Sequence, residues 1–151
     1  MKRLLRASPQ QRGYAFEREV QQLFKQLGWW RVRRDISLTD RHGNRSQIDV
    51  VAGLWRPHYV ECKCYTGSVP LSDVAKFASV LQLNNIPRSR GIFITTSTYV
   101  PRARTIGVRV VDGAELQQWR QQAARKRSRR WRPLLPIVGL ATIIVVTQLH
   151  Y

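Results

Sequence analysis

Two short apolar runs, QIDVVAGL (residues 47–54) and HYVECKCY (residues 58–65), each carry a carboxylate in their middle, Asp49 and Glu61. Both have the length and the branched or aromatic content of buried strands, joined by a short connection around Pro57. A carboxylate inside such a strand is costly unless it is paired, hydrogen-bonded or bound to a metal. The chain must therefore fold so that two neighbouring strands meet at a polar site within a sheet.

Strand alternation refines this expectation. In VECKC (residues 60–64) Val60, Cys62 and Cys64 share one face, expected to be core, and Tyr59, Glu61 and Lys63 share the other. In the preceding strand Ile48 and Val50 are expected to face one way and Gln47, Asp49 and Val51 the other. Pairing of the two strands sets Asp49 beside Glu61, with the Lys63 ammonium next to them. Two close carboxylates repel and raise a pKa. A divalent cation removes that penalty, and Mg²⁺ suits the site because it prefers oxygen ligands and keeps room for water and phosphate. Such a cation polarises a phosphodiester and acidifies water. Lys63 then orients or deprotonates the water, or neutralises charge in the transition state. The competing reading is a surface Glu61–Lys63 ion pair worth ~0–1 kcal/mol.

The rest of the body predicts helices around a sheet. Residues 13–27 set Phe16, Val20, Leu23, Phe24 and Leu27 at helical spacing, and Gly28 is a natural stop. Glu17 projects about 20° from Phe24, at the border of the apolar face, so a helix lying on the sheet can aim it at the same site. Its alternative is a solvated flank position paired with an arginine. A strand is predicted over 29–36, a turn over 39–44 (TDRHGN), and a helix capped by Ser72 that carries Val74, Phe77, Ala78 and Leu81. Strands over 90–97 and 108–111 follow, then a helix capped by Asp112 with Leu116 and Trp119. The order helix, strand, strand, strand, helix, strand, strand, helix predicts an α/β fold, a central mixed sheet flanked by helices.

Charge narrows the partners. The 151 residues hold 26 Lys+Arg against 9 Asp+Glu, a net charge of +17, and 43% of them are hydrophobic. That composition excludes a disordered chain and an acidic solvating tail, and it attracts a polyanion, either nucleic acid or an anionic membrane surface. Arg102 and Arg104 are candidate contacts to phosphates or members of a solvated loop, and Thr95 and Thr96 are candidate backbone contacts or β-branched strand packing. Cys62 and Cys64 offer no disulfide framework and point to a reducing compartment. A zinc half-site would need a second cysteine pair, whereas His42 and His58 stand alone, so core cysteines are preferred. Trp29 and Trp30 read as a half-buried strand pair in preference to a base-stacking platform.

Beyond the body, expected to span 13–122, a basic segment over 123–133 precedes an apolar stretch, LLPIVGLATIIVVTQL. Its 16 residues carry no charge and fall just short of the ~17–25 of a spanning helix. Trp131 and Tyr151 flank it as interfacial aromatics would. Residues 134–150 are expected to form a transmembrane helix, and the basic cluster on one side would hold the domain in the cytoplasm as part of a single-pass protein. The competing reading is a C-terminal core element of a soluble cytoplasmic protein. Residues 1–12 form a basic, acid-free arm, preferred over a short mitochondrial presequence.

Taken together, GYAFE (13–17), QIDVVA (47–52), VECKC (60–64), GIFITTSTYVPRA (91–103) and VVDGAEL (110–116) resemble the PD-(D/E)xK nuclease superfamily, specifically its Mrr-like restriction endonuclease branch. The resemblance covers residues 13–119. It implies a restriction-endonuclease-like fold, with Asp49 and Glu61 as metal ligands, Glu17 as an auxiliary acid at the metal and Lys63 as the catalytic lysine. It also implies Mg²⁺ as cofactor with Mn²⁺ as a substitute, DNA as partner, no small-molecule cofactor, and a homodimer where both strands are cut. Gln47 and Ile48 stand where the branch often has a glycine. The chain leaves no room for the separate recognition module of two-domain relatives, so weakly specific or structure-guided cleavage is expected, in restriction, repair or recombination. The leading expectation is a Mg²⁺-dependent endodeoxyribonuclease tethered to a membrane. The alternative is a catalytically silent module that anchors DNA there.

Overall fold

Helix α1 (Pro9–Leu27) opens the chain in this computed structural model, which describes residues 8–130. It begins four residues before Gly13, the start that periodicity suggested, because Ser8 caps it. The Gln11 N–H donates to the Ser8 hydroxyl at 3.2 Å and the Ser8 N–H donates to the Gln11 side chain at 2.9 Å. Pro9 occupies the first turn, where its missing N–H is not needed. Residues 9–12, expected in the basic arm, are thus the first turn of a helix. Gly28 closes α1 in the left-handed conformation at φ +93.

Five strands form one mixed sheet, in the order β1 (Arg33–Thr39), β2 (Arg45–Ala52), β3 (His58–Lys63), β4 (Gly91–Thr95) and β5 (Arg109–Val111). The β1–β2 and β2–β3 pairs are antiparallel, and the β3–β4 and β4–β5 pairs are parallel. A parallel neighbour needs a crossover. Helix α2 (Leu71–Leu83) supplies the first, and a chain containing the 3₁₀ turn Pro101–Ile106 supplies the second. Helix α3 (Gly113–Arg130) follows. The element order therefore matches the sequence expectation.

The sheet is covered on both faces. Phe16, Val20 and Phe24 of α1 and Leu116 of α3 pack on Val50, Val60, Ile92 and Ile94. On the other face Val74, Phe77 and Leu81 of α2 pack on Ile48, Val51, Phe93 and Val110. Strand β4, GIFIT, is buried along its whole length, as a central strand between two layers must be. Gly91 admits α2: a Cβ there would collide with Leu81 Cδ1 and lie 3.1 Å from Phe77 Cε1.

Several boundaries differ from the sequence reading. Strand β1 begins at Arg33, not Trp29, because residues 28–31 turn the chain, with Arg31 at φ +48. Trp29 packs on Phe24 at 5.0 Å between ring centroids, while Trp30 is 73% exposed. Helix α2 has Pro70 at its N-cap and no side-chain cap, so Ser72 lies inside the helix rather than capping it. Asp112 does cap α3, accepting from the Glu115 N–H at 2.9 Å. Strand β3 stops at Lys63, so Cys64 is exposed and only Cys62 joins the core; both are free thiols.

Among the described residues no helix is long and apolar enough to cross a membrane. The spanning helix expected over 134–150 and the first seven residues of the basic arm lie outside the described residues.

Candidate active site

Ordinary alternation fails at Asp49. Ile48 packs under α2 and Val50 under α1 and α3, so two residues expected on one face lie on opposite faces. The cause is in the neighbouring strand: Arg34 pairs with Val50 and Ile36 with Ile48, and Asp35 between them adopts φ +54. Aspartate tolerates this conformation better than bulkier residues do. Both strands switch faces at this point.

The β2–β3 ladder ends there too, its last pair being Val50 with Val60. Asp49 Oδ2 accepts a 2.7 Å hydrogen bond from the backbone N–H of Cys62. The carboxylate thus lies between the two strands and takes the place of a ladder bond. On β3, Lys63 Nζ meets Glu61 Oε1 at 2.9 Å, with 18% of the Glu61 side chain and 41% of the Lys63 side chain exposed. Thr95 holds the strand end, its buried hydroxyl donating to the Lys63 carbonyl at 2.8 Å. That bond replaces the phosphate contact considered for Thr95.

The electrostatics record how close these groups are. Burial raises the Asp49 pKa, the Cys62 N–H and Lys63 oppose the rise, and Asp35 adds to it. Burial and then the Asp49 charge raise Glu61, against Lys63 and Lys76. Glu17, on the α1 side, is raised by burial and by Asp49, Asp35 and Glu61. Burial alone would lower Lys63, but Glu61 and Asp49 hold it above its ordinary value. Asp49, Glu61, Lys63 and Glu17 are thus near enough for their charges to act on one another. Among the described residues no group of three His, Cys, Asp or Glu side chains stands ready to hold a metal ion.

Two clefts flank Lys63 and Gln47. One, of about 460 Å³, lies against α2 and is lined by Arg45, Glu61, Lys63, Tyr65, Asp73 and Lys76 among others. The second, of about 660 Å³, lies against α1 and includes Tyr14, Glu17, Asp35, Gln47, Lys63 and Cys64. Sequence reasoning missed Asp35, Gln47, Arg45, Lys76 and the Tyr65–Asp73 hydrogen bond. Asp35 had a signal: it was a third strand-borne acid with no cap or turn to explain it. Arg102 and Arg104 sit on the 3₁₀ turn Pro101–Ile106 and line neither cleft. The Arg104 guanidinium is engaged by Asp112 at 3.1 Å. Thr96 donates to the Tyr65 carbonyl at 3.2 Å, beside the site. Burial pushes the Cys62 thiol well up, followed by the nearby acids, which makes it an inert core group.

Two solved structures share this fold. A protein of unknown function, AF1548, superposes with a TM-score of 0.60 at 15% identity, over 74% of this chain and 66% of its own. Protein VC1899 from Vibrio cholerae gives a TM-score of 0.50 at 14% identity, over 75% of this chain and 32% of its own. The chain thus spans about two thirds of the first structure and a third of the second. No curated protein matches the sequence. The restriction endonuclease family model Mrr_cat matches residues 9–120, which is α1 through most of α3 and includes every residue of the acid–lysine cluster. The chain belongs to the Mrr_cat restriction endonuclease family.

Proposed function

We propose that this domain is a divalent-metal-dependent endodeoxyribonuclease whose C-terminus tethers it to a membrane. What supports the nuclease reading is that Asp49 is bound to the Cys62 N–H where β2 and β3 part, between the ion-paired Glu61 and Lys63 of β3.

The donor set fits a hard divalent cation. Asp49 and Glu61 are desolvated carboxylates with raised pKa values, Glu61 pushed up further by the Asp49 charge, and a cation at their oxygens removes that cost. Two protein carboxylates suit Mg²⁺, which fills its remaining positions with water and substrate phosphate. Mn²⁺ suits the same oxygens, and Glu17 stands on the α1 side as an outer acid. When bound, the cation would polarise the phosphodiester and favour ionised water.

The chain's own residues supply the rest. With its pKa raised, Lys63 is an ammonium at neutral pH, so it serves as a positive charge and hydrogen-bond donor rather than as the base. Thr95 fixes the backbone from which Lys63 projects. Asp49, tied to the Cys62 N–H, cannot swing away without leaving that donor unpaired. Arg45 and Lys76 border the α2-side cleft and are suited to hold phosphates on either side of the cut. Arg102 and Thr96 are farther contacts to the same backbone, and Arg104 joins them only by leaving Asp112.

The test is cleavage of supercoiled plasmid and of nicked and branched duplexes by the full chain, with Mg²⁺, Mn²⁺ or a chelator. Metal-dependent cutting supports the proposal. Intact DNA under every condition, with binding retained, would instead identify a silent DNA-binding module. The tether rests on the apolar sequence 134–149 after six arginines and lysines between 125 and 132, and is tested by co-flotation with lipid vesicles.

A further inference from the structure

At the end of the β2–β3 hairpin away from the acids, three large apolar side chains face solvent together. Trp30 is 73% exposed, Leu54 40% and Trp55 90%. With Leu27 they border an open apolar depression of about 700 Å³. The arrangement is built, because the Gly53 N–H donates to the Trp30 carbonyl at 2.8 Å and so ties the hairpin tip to the turn after α1. Arg31 and Arg56 are exposed next to the tryptophans.

The end of α3 reaches the same place. Lys126 Nζ donates to the Leu27 carbonyl at 2.8 Å, which fixes the last turns of α3 beside the patch. From there the sequence continues through its arginines to Trp131 and the apolar stretch. We infer that Trp30, Leu54 and Trp55 form a membrane-contacting surface for a bilayer that contains anionic lipid. Amphipathic rings with arginines beside them match the interface between headgroups and acyl chains. A second copy of the chain is the wrong occupant, because a net charge of +17 repels its like. Duplex DNA is also a poor match to a lining that is mainly Leu and Trp. The surface lies at least about 17 Å along β3 from Lys63, at ~3.3 Å per residue over the five steps from His58. A domain seated on it therefore presents its carboxylate site away from the lipid.

This extends the proposed tether, and the test reads the two apart. Tryptophan emission of the full chain is compared with that of a Trp30→Phe/Trp55→Phe variant, so that the difference spectrum reports the two exposed rings. Vesicles are phosphatidylcholine with phosphatidylglycerol, with and without lipids brominated near the headgroup. The expected result is a blue shift of the difference emission on adding vesicles, with quenching by the brominated lipid and protection from iodide. A chain that floats with vesicles while the difference emission stays unchanged overturns the surface and leaves the tether standing. If a Trp30→Ser/Trp55→Ser variant no longer floats at all, the surface is upheld and the independent tether falls. Difference emission that is already blue and unresponsive before lipid is added means that the chain's own apolar segment covers the patch, which overturns the inference. A response to duplex DNA without a response to vesicles overturns it too.

Discussion

Replacing Asp49 with alanine and with asparagine separates its two duties. The carboxylate accepts a 2.7 Å bond from the Cys62 N–H, and Cys62 is only 6% exposed. Alanine leaves that donor without its partner inside the sheet, at a cost of about 1–3 kcal/mol. For a domain of this size that is a fall in Tm of roughly 3–10 °C. Asparagine keeps an oxygen for the same N–H and removes a charge that burial and Asp35 disfavour. Asp49→Asn should therefore melt at or above the wild-type temperature in chelator, while Asp49→Ala melts well below it. Both should lose at least ~10²-fold in plasmid cleavage, since neither offers a charged oxygen to a cation. A cation in hundredfold excess over its Kd stabilises the wild type by about 2.7 kcal/mol, and neither variant should show that gain. Thermal melts with and without Mg²⁺, set beside single-turnover cleavage, decide the matter. The reasoning fails if Asp49→Asn cuts within tenfold of wild type, or if the two variants melt together.

Lys63→Met should keep the fold and DNA binding but lose ~10²-fold or more in cleavage rate; retained cleavage would remove Lys63 from the chemistry. The pH dependence of stability has a defined sign. Asp49 and Glu61 have raised pKa values when folded, so their contribution is most favourable at and below the ordinary carboxylate range and is lost as pH rises through the folded values. Chelated protein should therefore gain Tm when either acid is replaced by its amide at neutral pH but not near pH ~4, and Mg²⁺ should abolish the wild type's neutral-pH deficit. Gly91→Ala should cost about 1–3 kcal/mol through overpacking, because its Cβ would overlap Leu81 Cδ1 and press on Phe77. Urea melts should show that loss, with cleavage per folded molecule unchanged.

The sequence made the layout legible because the signals were local. Strand β4 is a short continuous apolar run, α1 and α2 carry helical apolar spacing, and the two acids stand out against apolar neighbours. Strand pairing brought Asp49 and Glu61 to one end of the β2–β3 hairpin, and a helical projection turned Glu17 toward the sheet. Boundaries were less legible because caps outrank periodicity at helix ends: Ser8 with Gln11 draws α1 outward, and Pro70 displaces Ser72. The face of Asp49 was misread because the switch depends on Asp35 in a left-handed conformation, and no glycine advertised it. Lys76 and Arg45 escaped notice because a basic residue in a chain of net charge +17 carries little information until the fold shows which ones border the acids.

That switch explains why the site lies where it does. A regular antiparallel β2–β3 ladder would place Asp49 and Glu61 opposite each other, with the backbone between them consumed by hydrogen bonds. Stopping the ladder at Val50 and Val60 frees the Cys62 N–H, and the Asp49 carboxylate fills the gap. The acid is therefore held by the sheet, yet keeps its second oxygen for other partners. Glu61 and Lys63 border the cleft toward α2, while Glu17 borders the cleft against α1, and Lys63 lines both. A variant that restored regular alternation would lose the site without losing the core. Asp35→Val would press β1 toward extended geometry, because a β-branched residue resists φ +54. The acids would then be pushed back onto the sheet's faces, and cleavage would fall even though no residue that touches the phosphate had changed.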